Sequence, residues 1–502
     1  MKFMISIHSL FDEAAEQYEQ KIAIEDNENF YTYGQLKEAS EKIANALISI
    51  GVQKKECVAI LAPNCFSYMA LQYATSRIGA VLEVINTRHV INEIIYALNN
   101  ANAKVIFVHE DFQAHLKALH DASSIECSVG IGKVNGCNLH LDDLLSKDYE
   151  SNLPVNSNKN EAAVLMYTSG TTGRPKGAVQ SQENSYCADL ITKDLLGLNS
   201  EDRFFAFMPF FHQAGLIRAR AVLSQGGTIV IEKNLSKNNL ATIIKEKEIT
   251  ITMLVPPYSE ALINTCNENN IKFTKLRLLI GGPPSKSVRE FCKKNECIYT
   301  SVYGQTEVTG LITSISGEDF WIYPGSVGKP VSDMNMEIWD EEGRSVGPGC
   351  IGEIMAKSSR CINNYWNNEE ATKLLYTREW LHTGDLGIVD EEGYLYFIGR
   401  KKELIKTGGE NVYPLEVEQV VIKHPNIQDL AVMGIPDSEW GEKVICFLVS
   451  KDGSNISNTE IKQFCQEQLS GYKIPKEVYC IEEIPRNHTG KIDKLSLKTL
   501  IN

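Results

Sequence analysis

At 502 residues the chain is longer than one hydrophobic core ordinarily supports, so two or three domains are expected. Its 43% hydrophobic and 23% charged residues suit a globular protein, and no apolar run reaches the length of a membrane span. A net charge of −14 argues against nonspecific nucleic-acid binding, which needs a basic footprint, but permits an anionic ligand on a local basic loop.

The N-terminal stretch MKFMISIHSLFDEAAEQ has no long apolar run and meets Asp12 and Glu13 early, unlike a secretory signal. Next come short Val/Ile/Leu-rich runs, ECVAILAP (56–63), AVLEVIN (80–86) and KVIFVHE (104–110), which read as buried strands. Between them SYMALQYATSRIG and VINEIIYALNNAN carry helical patterns. This alternation, repeated near 204–209, 228–232, 250–255 and 276–280, predicts an α/β fold of parallel βαβ subdomains covered by helices. Residues 326–398 change to alternating strands broken by Glu-Gly and Pro-Gly turns, as in an antiparallel or barrel-like subdomain. The last section, 402–502, pairs the helices PLEVEQVVIKH and NTEIKQFCQEQL with the strands LAVMGIP and KVICFLVS, a small α+β domain. The boundary is placed at Lys402, giving domains 1–401 and 402–502. Thirteen scattered cysteines without CxxC or Cys/His ligand spacing read as reduced thiols of a cytoplasmic protein, not as a zinc site.

The segment YTSGTTGRPKGA (167–178) is too polar for a core element. It lies between the strand-like AAVLMY and the helix-compatible SQENSYCADLITKDLL. A glycine-rich turn after a strand can aim backbone N–H groups at a phosphate, with Gly170 and Gly173 allowing close approach. The hydroxyls of Thr168, Ser169, Thr171 and Thr172 can donate to phosphate oxygens, and Arg174 and Lys176 supply charge. The Gly-Lys-Ser/Thr ending of a Walker A loop is absent.

This segment resembles the signature loop of the acyl-adenylate-forming superfamily, which contains acyl- and aryl-CoA synthetases, peptide-synthetase adenylation domains and luciferases. MPFFHQAG (208–215), IGGPPS (280–285), VYGQTE (302–307), LHTGDLG (381–387), GRKKELIKTGGENVYPLEVE (399–418) and PRNHTGKIDK (485–494) follow in the family's order, across nearly the whole chain. The resemblance implies ATP, Mg²⁺ and CoA as reactants and cofactor. It implies that Tyr303 stacks on adenine within the nucleotide-binding run Gly304, Gln305 and Thr306, that Thr306 bonds the α-phosphate, and that Glu307 holds Mg²⁺. Gly281, Gly282 and Pro283 leave room for a flat ring, where the family places adenine. Asp385 and Arg400 would take the ribose hydroxyls. Lys491 would be the catalytic lysine of adenylation, working with Thr172, Glu307 and Lys176. Lys402 would be the pivot of the C-terminal domain between half-reactions.

For the second half-reaction, Gly408 and Gly409 would line a tunnel for the pantetheine thiol. Trp440 or Tyr472 would stack on the CoA adenine, with Lys473 or Lys476 at its phosphates. An acyl carrier protein is the alternative acceptor. The acid pocket is expected at His212, Val255, Gly281, Val302, Gly304, Val308 and Gly310, with Gly304 and Gly310 leaving space. PFFHQAG offers no carboxylate to pair an ammonium, so the acid is of fatty or aryl type and not an α-amino acid. A monomer or homodimer is expected.

Overall fold

The structure, a computed structural model, describes residues 5–149, 153, 158–168, 175–255, 257–282, 285–486 and 492–501. The chain forms two compact units, Met1–Met336 with Ala356–Leu381, and Glu337–Met355 with His382–Asn502.

The first unit holds two sheets. The apolar runs Cys57–Leu61, Val81–Val84 and Val105–His109 are buried along their whole length, as parallel strands covered on both faces must be. They lie in a seven-stranded sheet ordered Leu139–His140, Cys127–Ile131, Val105–His109, Cys57–Leu61, Val81–Val84, Ala162–Thr168, Lys176–Ser181. Neighbouring strands are parallel except the last two, which form an antiparallel hairpin. Helices Phe66–Ile78 and Ile91–Ala101 supply the crossovers.

The second sheet has nine strands. Its centre runs Ile298–Gln305, Leu278–Gly281, Ile251–Met253, Arg203–Phe205, Thr228–Ile231 and Ile22–Asp26, all neighbours parallel. Antiparallel partners, Gly310–Ser316 and Asn29–Thr32, flank this centre. One continuous core joins the sheets through the helices between them. It contains Val58, Ile60 and Leu82 from one sheet, Phe204, Ile229 and Ile280 from the other, and Leu36, Met69 and Leu216 from helices. In a parallel sheet the carboxyl ends of strands are where loops meet ligands. The signature loop follows Thr168, Gly282 follows Leu278–Gly281, and Thr306 follows Ile298–Gln305, each at such an end.

The second unit contains a five-stranded sheet of Glu410–Val412, Ile405–Thr407, Gly441–Ser450, Ile427–Asp437 and Glu477–Cys480. Successive residues of Ile427–Asp437 serve opposite cores, as a period of two requires. Leu430 and Val432 pack with Val417 and Ile461 of helices Pro414–Val421 and Asn458–Cys465. Ala431 and Met433 pack with Leu497 of helix Lys494–Thr499. Among the described residues no helix is long and apolar enough to cross a membrane.

Candidate active site

The signature loop connects two strands, a departure from the strand–turn–helix expected of its sequence. Lys176–Ser181 pairs antiparallel with Ala162–Thr168 before helix Gln182–Leu196 begins, capped by Ser181. Gly177 makes this possible locally: a Cβ there would lie 2.8 Å from Leu165 and 3.3 Å from Trp366 and Tyr167. Thr168 and Lys176 therefore face each other at the mouth of the hairpin. Ser169, Gly170, Thr171, Thr172, Gly173 and Arg174 lie outside the described residues.

Glu307 comes to this mouth from the other sheet. It sits in the single turn Thr306–Val308, where Thr309 takes a left-handed φ of 47° before the chain returns as Gly310–Ser316. Two contacts fix the turn. The Ile362 N–H donates to the Glu307 carbonyl at 2.9 Å, and Arg360 Nη1 donates to the Val308 carbonyl at 3.3 Å. Arg360 is 0% exposed and tolerates burial because Asp333 accepts from its Nε and Nη2 at 2.7 and 2.8 Å.

Tyr365 joins these parts. Its hydroxyl donates to Glu307 Oε1 at 2.9 Å, and the single Thr168 hydroxyl proton is shared between that oxygen at 3.5 Å and the Lys176 carbonyl at 3.4 Å. Lys176 Nζ stands 5.5 Å from the Tyr365 ring centroid, within cation–π range. Burial, and then the neighbouring Glu307, push the Tyr365 phenol well up, so it stays a neutral donor. Among the described residues neither donor uses Oε2, which leaves that carboxylate oxygen for a cation.

The remaining motif residues of the first unit separate into an open face and filled places. Among the described residues an added Cβ at Gly282 meets nothing within 4 Å, while its carbonyl accepts from the Tyr299 hydroxyl at 2.6 Å. Gly281 is closed by that hydroxyl, 2.2 Å from where its Cβ would stand. Pro283 is outside the described residues. Gly304 does not leave space for an acid, because its Cβ would lie 1.8 Å from the Gly310 carbonyl. Its missing side chain serves the close approach of two strands. At Gly310, Ile217 Cδ1 occupies the place, 2.8 Å from where a Cβ would stand, a neighbour that spacing did not reveal. Val308 is fully buried with Leu311, Ile312 and Ile362, and half-buried Val302 and Tyr303 pack against the same cluster. Gln305 and Thr306 are partly exposed beside it, as is Val255 after strand Ile251–Met253. His212 takes the N-cap position of helix Gln213–Leu223 without capping it, its ring 4.6 Å from Phe211.

In the second unit Asp385 and Arg400 are register partners of strands Trp380–Val389 and Leu395–Arg400. Arg400 Nε meets Asp385 Oδ1 at 2.9 Å, with Asp385 1% and Arg400 38% exposed. Beside them Glu353 meets His382 at 3.2 Å and Lys401 at 2.7 Å. Burial would raise Glu353, but its hydrogen bonds with His382 and Lys401 win and hold its carboxyl at about 2. Burial, and then Arg400, lower the pKa of the Lys402 ammonium. Its neighbour Glu403 pairs with Lys494 at 2.8 Å. Lys491 is outside the described residues.

Gly408 and Gly409 have φ values of 58° and 83° and form the whole turn between Thr407 and Glu410, a two-residue hairpin that needs glycine on backbone grounds alone. The other residues expected at CoA fall into two groups. Trp440 packs over Gly408, whose Cβ would be 2.8 Å from the indole, and Lys476 Nζ lies 5.8 Å from that ring. Lys473 donates to Glu416 at 2.6 Å and stands 5.8 Å from the Tyr472 ring, so its charge is already matched.

Sequence reasoning missed Tyr365, Arg360, Asp333 and Tyr299. INNYWNN and SDMN contain no spacing that announces chemistry; only the fold brings them to Glu307.

Residues 11–366 match the family model described as AMP-binding enzyme, and residues 416–491 match the AMP-binding enzyme C-terminal domain. Over 482 residues the chain is 31% identical to a 2-succinylbenzoate–CoA ligase of Bacillus cereus, covering 96% of each. Over 487 residues it is 32% identical to an indoleacetate–CoA ligase of Aromatoleum aromaticum, covering 96% of this chain and 95% of that one. The o-succinylbenzoate CoA synthetase of Bacillus subtilis, solved with its acyl-adenylate intermediate, superposes with a TM-score of 0.85 at 28% identity and 97% coverage of both chains. That enzyme is also solved with ATP and a magnesium ion, again at a TM-score of 0.85.

Proposed function

Because the chain belongs to the AMP-binding enzyme family, we propose that it is an ATP-dependent acid–CoA ligase acting on an aryl acid. A carboxylate is a poor acyl donor because it lacks a good leaving group. Its oxygen attacks the α-phosphorus of ATP, the bond to the bridging oxygen breaks, and pyrophosphate leaves with that electron pair. The CoA thiol, giving up its proton, then attacks the acyl carbonyl, and AMP departs as the thioester forms.

The observation that carries the reading is the mouth of the signature hairpin. There Lys176 and the Glu307 carboxylate stand on two sides of one tyrosine. One oxygen bonded by neutral hydroxyls and one left clear fit a hard cation that also needs phosphate oxygens. Mg²⁺, when bound, neutralises phosphate charge as pyrophosphate departs. Lys176 adds its own charge to the leaving group, and Thr172 donates to phosphate oxygens. Gly282 gives a flat adenine an open backbone face, beside Tyr303. Asp385 accepts from the ribose hydroxyls, with Arg400 orienting it. Lys491 neutralises charge at the α-phosphorus.

Lys402 serves as the pivot for the C-terminal domain of residues 402–502. CoA is taken by the Gly408, Gly409 and Trp440 group with Lys476. The acid lies against His212, Val255, Val302 and Ile217. Support for an aryl acid comes from the named substrates of the two ligases above. The reaction is placed in the cytoplasm, where ATP and CoA are supplied and the thirteen free cysteines stay reduced.

Pyrophosphate release measured across aryl, fatty and amino acids tests the reading, with CoA or a phosphopantetheinylated carrier protein as acceptor. Turnover with aryl acids and CoA is expected. Activity with amino acids alone overturns the acid class, and product on the carrier alone overturns the acceptor.

A further inference from the structure

The hairpin that carries Lys176 is pinned by a segment distant in sequence. The Trp366 N–H donates to the Gly177 carbonyl at 2.7 Å and the Val179 N–H to the Asn364 carbonyl at 3.3 Å. Between them Tyr365 bridges Ala178 as an antiparallel partner. Asn364–Trp366 thus acts as a short third strand along Lys176–Ser181. The same segment is tied from behind, because the Tyr365 N–H donates to Thr372 Oγ1 at 3.0 Å. Thr372 sits in helix Glu369–Lys373, whose N-cap Asn368 accepts from Ala371 at 2.9 Å.

An aromatic ring held so firmly has few ways to move. Its face lies under the Lys176 ammonium and its hydroxyl ends on Glu307 Oε1. A carboxylate can turn about its terminal bond, and which oxygen faces a cation depends on what holds the other. The 2.9 Å bond from Tyr365 to Oε1 decides that orientation here, with Thr168 at 3.5 Å a weaker contact to the same oxygen.

We propose that Tyr365 is a positioning residue for the reaction: its hydroxyl turns Glu307 so that Oε2 meets the metal, and its ring seats Lys176 beside the same phosphates. One residue thereby couples the cation of the hairpin to the carboxylate of the other sheet. The inference rests on the roles given above to Glu307 and Lys176.

The test separates the two. Mn²⁺, read by electron paramagnetic resonance, is titrated into the whole enzyme with α,β-methylene-ATP, which binds without reacting. Glu307→Gln and Lys176→Gln examine the underlying roles, and Tyr365→Phe removes only the hydroxyl. Tyr365→Phe is expected to weaken Mn²⁺ binding about three- to tenfold, while nucleotide affinity without metal stays within about twofold. Tyr365→Leu, which also loses the ring, should weaken both. Thr168→Val, removing the longer bond to the same oxygen, should weaken Mn²⁺ less than Tyr365→Phe. It also provides the test if a Tyr365 variant does not fold. If Glu307→Gln weakens Mn²⁺ binding and Tyr365→Phe does not, the inference falls and the proposed function stands. If neither Glu307→Gln nor Lys176→Gln changes any affinity, both fall.

Discussion

Asp385 and Arg400 oppose each other across one hairpin of the second unit, held by the ladder of the strands that carry them. Glu307 in the first unit has no such local partner. Its donors come from positions 58 and 139 residues away, on a pinned loop and on the other sheet. A pair made within one hairpin survives anything that leaves the hairpin intact. An arrangement made of three distant segments exists only when the whole unit is packed, so its geometry answers to remote residues such as Arg360 and Asp333.

Lys491→Ala sharpens this contrast most. Acyl-AMP formation should fall at least about a hundredfold, while thioester formation from supplied acyl-AMP stays within a few-fold. Equal losses in both half-reactions would break the assignment of adenylation chemistry to that lysine. Next, Glu307→Gln should lower the adenylation rate about ten- to a hundredfold, with part of the loss recovered at high Mg²⁺. A loss independent of Mg²⁺ would show that the carboxylate does not act through the metal.

Arg400→Gln should raise KM for ATP about tenfold and also lower the melting temperature, because it leaves the buried carboxylate of Asp385, 1% exposed, without its cation. The gap between the variant and the parent enzyme should narrow with 2′-deoxy-ATP, which lacks one of the hydroxyls in question. An equal gap with both nucleotides would remove the ribose role.

The smallest effect on rate, but a clear one on stability, is expected at Glu83. This residue is 0% exposed on strand Val81–Val84, two strands from Lys176–Ser181, and neither carboxyl oxygen has a hydrogen-bond partner among the described residues. Burial pushes its carboxyl up to about 8 from a usual 4.5. A carboxyl raised on folding contributes most below its unfolded value, and the contribution is lost as pH climbs to the folded one. Between about pH 5 and 8 the parent enzyme should therefore lose roughly 1.4 kcal/mol per pH unit relative to Glu83→Gln. Melting curves of both proteins across this range check the sign; parallel curves would mean that Glu83 is ionised throughout.

Much of the fold was legible because burial and period leave marks along the chain. Runs such as VIFV (105–108), apolar at every position, read as strands covered on both faces, and helices recur between them. Lys176–Ser181 was harder to see. GAVQS is short and follows a polar loop, and its pairing with Ala162–Thr168 is what makes it a strand. Gly304 was misread as leaving space because glycine has the same letter whether it opens a pocket or admits a neighbouring backbone. Gly408 and Gly409 are ambiguous for the same reason, since a tight hairpin requires both.

The sequence by itself determined the reaction class and the order of the parts. Each motif is contiguous, so the hydroxyls and cation of the signature loop stand together by local chain geometry, and the resemblance carried by the motifs in order implied the reaction. Only the tertiary structure decided which oxygen of Glu307 is held, what lies beneath Lys176, and what fills the places beside Gly304 and Gly310. Those are contacts between residues far apart in the chain, and such contacts leave no period or spacing to read.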